Sequence, residues 1–259
     1  MTTPALIHLA NRAVLRVSGD DRVSFLQGLL SNDVRRVSAT TSVWAALLTP
    51  QGKYLHDVFV IAEGEALRLD GEAARLDDLR ARLSRYRLRA KVAIDPAPEL
   101  AVFALLGSSA EGFADPRHDN IGRRVIAPKE SLAPTAPFET YDYRRLTLGL
   151  PDGSRDIEPE KDLLLEARFD DFHGVDFKKG CYVGQEVTAR TKYRGLVKKR
   201  LLPVRVDGPL PSPGTPVIWE GREVGVLRSG CADAALALLR LDSVAEGRSF
   251  TCAGSRLRV

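Results

Sequence analysis

Apolar and polar positions change their period several times along the first hundred residues, and each change marks an element. Arg12 to Val17 alternates, as a half-buried strand does. Ser18-Gly19-Asp20-Asp21 then offers cap residues and first-turn acids. Val23, Leu26, Leu29 and Leu30 follow at helical spacing, so a short amphipathic helix is predicted over 21–30, stopped by Ser31-Asn32-Asp33. Val43 to Leu48, Val58 to Ala62 and Ala66 to Leu69 read as strands. They are joined by the turn Thr49-Pro50-Gln51-Gly52 and the tight connection Glu63-Gly64, which makes an antiparallel meander. Glu72 to Leu88 is the best helical pattern, with Leu76, Leu79 and Leu83 on one face, and Lys91 to Ile94 returns as a strand. That order describes an α+β unit rather than a doubly wound parallel sheet.

Asp95-Pro96-Ala97-Pro98 is the first linker. Beyond it a second unit is predicted, with strands over 100–106, 122–127 and 141–148, a Pro/Ala-rich loop over 131–137 and a short helix over 163–167. Gln185 to Arg194 continues as a helix, with Gly195 as its natural C′ residue. From Leu201 the texture becomes short β-prone runs broken by Pro209, Pro211, Pro213, Gly214 and Pro216, as in a small barrel or sandwich. The expected fold class is α+β. A body over 1–200, with subdomains at about 1–95 and 96–200, precedes a C-terminal β-barrel over 201–259.

Net charge is +4, but the cations are clustered: Arg80 to Lys91 holds six with no acid, and Arg190 to Arg200 holds six more. Between them, Asp152 to Asp176 is mainly acidic. These runs are either solvated faces or a basic surface for a polyanion, such as nucleic acid or a polyglutamate tail. The longest apolar runs, such as 58–62, are too short to span a membrane. The first residues lack the basic start and apolar core of a secretory signal, so a cytosolic protein is expected. Cys181, Cys231 and Cys252 are odd in number and far apart, which argues against a disulfide framework. No phosphate-binding lysine loop, dinucleotide glycine fingerprint, His-Glu-x-x-His or Cys-x-x-Cys occurs, so no metal is assigned.

The densest chemistry lies in His173 to Gly195, above all in Lys179-Gly-Cys-Tyr-Val-Gly-Gln-Glu186. A thiol between two glycines, beside Lys178 and Lys179 and ahead of a helix, has the surroundings that favour a thiolate. Cys181 should then be accessible, with a depressed pKa. The alternative is a turn with a small buried filler at Cys181. His173, with Asp170 and Asp171 behind it, offers the parts of an activated cysteine nucleophile. Cys231 and Cys252 read as core thiols of the barrel.

This motif, with Ala189-Arg190 and Tyr193-Arg194-Gly195, resembles the hallmark of the YgfZ-type folate-binding proteins. These are relatives of the glycine-cleavage T-protein and of a mitochondrial iron–sulfur assembly factor. The start of the chain, with Gly19, Phe25-Leu26-Gln27 and Asn32-Asp33, is similar to the T-protein too. The resemblance implies a T-protein-like body that binds tetrahydrofolate. Asp57 would face the folate's nitrogens, Tyr141 its ring and Arg145 its polar end, all three in one cavity. It implies a reactive Cys181, Lys179 supporting the thiolate, and Gln185 and Glu186 organising the loop. The implied role is accessory: assembly or repair of iron–sulfur clusters in client enzymes, with indirect support of tRNA modification. Two departures count against the runner-up, a folate-dependent aminomethyl transferase. His56 stands where the T-protein has a second acid, and the Tyr-Thr-Gly-Glu loop is missing. A nucleic-acid-binding module is third, because its basic runs lack interleaved aromatics.

Overall fold

The computed structural model describes residues 4–107, 109–245 and 248–259. Its centre is a five-stranded antiparallel sheet in the spatial order Val43–Leu48, Tyr54–Glu63, Ala66–Glu72, Arg12–Ser18, Ala93–Pro96. The meander is as the pattern predicts, while the returning strand runs two residues later than 91–94 and takes Asp95 and Pro96 from the expected linker into pairing with Arg16 and Leu15. Both faces of the sheet are covered, and the period-2 alternation divides its residues between two cores. Leu15, Val17, Ala45 and Leu47 pack on helices α1 (Arg22–Gln27) and α2 (Leu76–Arg87) through Leu26, Leu79 and Leu83. Val14, Trp44, Ala46 and Leu48 pack the other way, with Val102, Ala104, Phe169 and Tyr182.

The second sheet has the order Ala5–His8, Leu100–Leu106, Arg123–Pro128, Phe113–Ala114. Its first strand comes from the N-terminus, so the chain threads both units at once. Leu100 to Leu106 and Arg123 to Pro128 are strands as expected, but 141–148 is not. Phe138–Thr147 is an α-helix, α3, which opens at Pro137 and buries Tyr141, Asp142, Arg145 and Leu146. Those positions are one face at helical spacing, and the loose alternation of Tyr141, Tyr143 and Leu146 conceals it. Leu163 bridges to Lys53 and 164–167 form successive turns, so no helix occurs there.

From Lys199 the chain enters a closed six-stranded barrel, in the order Lys199–Asp207, Ala234–Arg240, Arg222–Cys231, Pro216–Trp219, Ser249–Cys252, Ser255–Arg258. Its interior is filled by Val204, Val217, Leu227, Leu239, Phe250 and Leu257. Closure leaves the barrel without a free sheet edge. Leu146 of α3 packs on Leu201, Leu236 and Leu238 outside the barrel, so α3 is the body's seat for it. Among the described residues no helix is long and apolar enough to cross a membrane.

Candidate functional site

The stretch 173–184 is an ordered strap laid across the start of the chain. Ser31 Oγ donates to the Gly174 carbonyl at 2.6 Å, and Asn32 Nδ2 donates to the carbonyls of Trp44 and His173 at 2.8 and 2.7 Å. The Val183 amide donates to the Gly28 carbonyl at 3.1 Å. Lys179 is the main brace. Its buried ammonium donates to the carbonyls of Gln27 (2.7 Å), Leu30 and Asn32 (2.8 Å), at the end of α1 and in the segment that follows it. Burial pushes its pKa down to about 8, against the pull of Asp33 and Asp176. All three donors are taken, so Lys179 holds the loop to α1 instead of serving as a free cation beside the thiol.

Beyond the strap, Gly184 (φ +82°) enters α4 (Gln185–Tyr193) in the left-handed region. A β carbon there would lie 2.4 Å from the Thr49 carbonyl oxygen, so only glycine permits this contact with the 49–52 turn. Gln185 Oε1 accepts from the Tyr182 amide at 3.2 Å and steadies the loop. Arg194 caps α4 and Gly195 follows at φ +61°, the predicted stop. Cys181 and Glu186 face outward and are exposed. Cys231 is half-buried and Cys252 buried, and burial pushes both of those thiols up. The cysteine–histidine–aspartate arrangement is not assembled. Asp170 pairs with Lys192 and Arg200, and Asp171 with Arg168 and Arg200, while His173 contributes its carbonyl to Asn32.

The residues assigned to a folate lie elsewhere. Asp57 is buried, paired with Arg12 at 3.3 Å and hydrogen-bonded by Trp44 Nε1 at 3.0 Å and the Tyr54 hydroxyl at 3.2 Å. The 3-10 turn Gly153–Arg155 closes over it: a β carbon on Gly153 would sit 3.4 Å from Asp57 Oδ1. Asp70 bridges Arg12 and Arg124, each at 2.7 Å, and Asp115 holds Arg117 at 2.8 Å. Arg117 and Arg124 donate to the Tyr141 hydroxyl at 2.9 and 3.3 Å, and their guanidinium carbons lie 4.9 and 3.8 Å from the Phe59 ring centre. Three guanidinium groups thus meet three carboxylates in a dry network that joins Asp57 to Tyr141. Arg145 is outside it. Fully buried, it pairs with Asp142 and Asp156 and donates to Ser229 Oγ of the barrel.

Tetrahydrofolate therefore does not fit these residues. A ligand of that size requires a cleft of about 300 Å³ or more, and here each polar atom meant for it is already satisfied by a neighbour. Titration of the purified protein with tetrahydrofolate is expected to show no saturable change in intrinsic fluorescence near Trp44. Saturable binding that weakens in Asp57→Ala would show that the network opens.

His56 faces away from Asp57, as neighbours on a strand must, and its Nε2 lies 2.8 Å from Asp78 of α2. Burial lowers its pKa to about 4, with help from Arg75 and against Asp78. Because this folded value lies below the ordinary 6.5, the unfolded chain gains a proton first as pH falls. The stability held by neutral His56 is full above pH 6.5 and is lost on the way down to about 4. At about 1.4 kcal/mol per unit the loss approaches about 3 kcal/mol. Thermal unfolding from pH 7 to pH 4.5 should show this slope in the wild type and a flatter one in His56→Gln; identical profiles would refute it.

Residues 198–259 match the CAF17 C-terminal beta-barrel domain. Over 274 residues the chain is 36% identical to the human iron-sulfur cluster assembly factor IBA57, mitochondrial, an alignment covering 91% of this chain and 77% of that protein. The chain belongs to the IBA57 family. The mouse IBA57 protein is 32% identical over 280 residues, with the same coverage. Glycine cleavage system aminomethyltransferase T from Bartonella henselae superposes with a TM-score of 0.78, over 98% of this chain and 83% of that one. At 17% identity it shows a shared fold: the expected T-protein-like body with a C-terminal barrel. The IBA57 relatives are named as mitochondrial. That overturns the expected cytosolic location. The lack of a secretory start spoke only to the secretory route, because a compartment address is read by receptors and leaves no mark on a folded core.

Sequence reasoning missed the cradle residues Gln27, Ser31 and Asn32, which were read as the end of a helix. It also missed Arg12, Asp70, Arg117 and Arg124. The available signal was a charge at an inward strand position, as at Asp70 between Leu69 and Gly71, which is tolerated only with a partner.

Proposed function

We propose that this chain is an iron–sulfur cluster assembly factor in which Cys181 supplies one thiolate to a cluster shared with a partner protein. The observation that carries the reading is the exposed Cys181 at the crest of a strap fixed by Lys179, Gln185 and Gly184, in a chain of the IBA57 family. A thiolate is a soft ligand suited to iron–sulfur centres. Among the described residues no group of three or more potential metal ligands gathers, so the remaining ligands must come from the partner. The step is a ligand exchange at iron. Cys181 gives up its proton and forms an Fe–S bond while a partner thiolate leaves and takes up a proton, with no change of oxidation state. A rigid crest suits such an exchange, because the sulfur is already presented when the partner arrives. Folate has no part in this mechanism, and effects on tRNA modification would follow indirectly, through client enzymes.

Cys181→Ser keeps size and polarity but removes the soft, ionisable sulfur. Its melting temperature should match the wild type, since the side chain is exposed. In cells that depend on this copy, activity of an iron–sulfur client enzyme should fall sharply. Alkylation of the wild type should modify Cys181 before Cys231 and Cys252. Full client activity in Cys181→Ser would defeat the proposal.

A further inference from the structure

The first basic run and the helix that leads into the second both touch one turn, 49–52. Beside it, α2 forms a cleft of about 250 Å³ with Leu47, Leu55 and Pro50, lined also by Arg82, Arg85 and Tyr86. Gly184 and Val187 at the start of α4 pack against Thr49 and Gly52 of the same turn. Some cations of the two runs are neutralised internally. Arg82 pairs with Asp78 and Glu160, and Lys192 and Arg200 pair with Asp170. Arg85, Arg190 and Arg194 are exposed and have no acidic partner among the described residues. Along α4, Glu186, Arg190, Tyr193 and Arg194 form one outward stripe at helical spacing, with Cys181 just ahead of it. Tyr86 is 39% exposed and Tyr193 75%, the latter with only the edge-on ring of Phe177 against it at 6.3 Å, so both leave aromatic surface in water.

Gly184, at the turn contact, is three residue steps from Cys181, a span of at most about 11 Å. Cleft and thiol therefore fall within one ordinary footprint of about 800 Å². The cleft is smaller than the roughly 300 Å³ at which small-molecule pockets begin, and its apolar floor suits a single inserted side chain. We infer that the partner sharing the cluster is an acidic protein that docks across this face, seating an apolar side chain in the α2 cleft while its carboxylates meet Arg85, Arg190 and Arg194. The inference rests on the assembly reading above and adds where, and by what chemistry, the partner binds. Charge complementarity speeds encounter and fixes the approach, so the partner's ligands would reach Cys181 in register.

The test uses the full chain, expressed in cells that depend on it, with a photo-reactive residue in place of Tyr86 or of Tyr193. Both positions should capture the same protein, of acidic composition by mass identification. Capture should fall about ten-fold in an Arg85→Glu, Arg190→Glu background and with added salt. Both arginines are exposed, so melting temperature and Cys181 alkylation rate should stay at wild-type values. Client-enzyme activity should drop in the charge-reversed protein although Cys181 is intact. Full client activity there, with loss in Cys181→Ser, would overturn the docking surface and leave the assembly reading standing. Full activity in both variants would remove the assembly reading, and this inference with it. Capture of different proteins at the two positions, or of RNA in place of an acidic protein, would also overturn it.

Discussion

Asp70→Asn should be among the most damaging single substitutions in the body, costing about 3–5 kcal/mol. Asp70 is fully buried, and its two oxygens hold Arg12 and Arg124 at 2.7 Å each. The amide keeps the shape but removes the charge, leaving Arg12 with Asp57 at 3.3 Å and Arg124 with Asp115 at 3.6 Å. Three guanidinium groups would then face two carboxylates in a space that water does not reach. Losing one partner of a buried pair costs far more than the pair itself contributes, because the surviving charge stays desolvated. For a chain of this size the loss corresponds to a fall in melting temperature of about 10 °C. Arg240→Ala, which breaks an exposed pair with Asp242, is the control and should leave the melting temperature near the wild-type value. Equal melting temperatures for Asp70→Asn and the control would show that the network is wet or rearranges freely.

Lys179→Met should separate loop order from thiol chemistry. Methionine keeps the unbranched stem of lysine, one atom shorter, but offers no donor to the carbonyls of Gln27, Leu30 and Asn32. Leaving those acceptors unmatched should cost about 2–4 kcal/mol. The damage should be local, with faster amide exchange over 176–184 while the barrel keeps wild-type protection. Client activity should fall with Cys181 still present and still alkylated. Arginine should not rescue, because a planar guanidinium cannot send three donors to three converging carbonyls as a tetrahedral ammonium does. If Lys179→Met keeps both loop protection and client activity, the brace is dispensable.

How much of this was legible in the sequence depended on the range of each interaction. The meander at 43–72, α2 and the closing Gly195 were readable because period and turn chemistry are local signals. The motif was readable as chemistry, but the division of labour within it was not. Lys179 and Cys181 stand two residues apart, yet one turns inward to α1 and the other outward, and only the position of α1 decides which. Helix α3 was misread because one of its faces is set by Arg145 and Asp142, polar residues that count as buried only once Asp156 and Ser229 are in place. The Asp57 network was invisible for the same reason, since Arg12, Asp70 and Arg124 lie more than fifty residues from one another. The same network links Asp57 to Tyr141 through Arg12, Asp70 and Arg124, so both spend their polar atoms on protein neighbours.

The uneven exposure of the three cysteines has a practical use. With Cys181 in the open, Cys231 half-covered and Cys252 enclosed, the unaltered chain carries its own attachment point for a spin label or fluorophore. A probe placed there sits on a braced crest instead of a flexible tail, so its distance to a second label would report real geometry with little contribution from tether wobble. The same openness makes the protein a candidate for disulfide-linked pairs when stored in air. A reductant-sensitive dimer band on a gel would then mark ageing of the sample and should be ruled out before any assembly state is assigned.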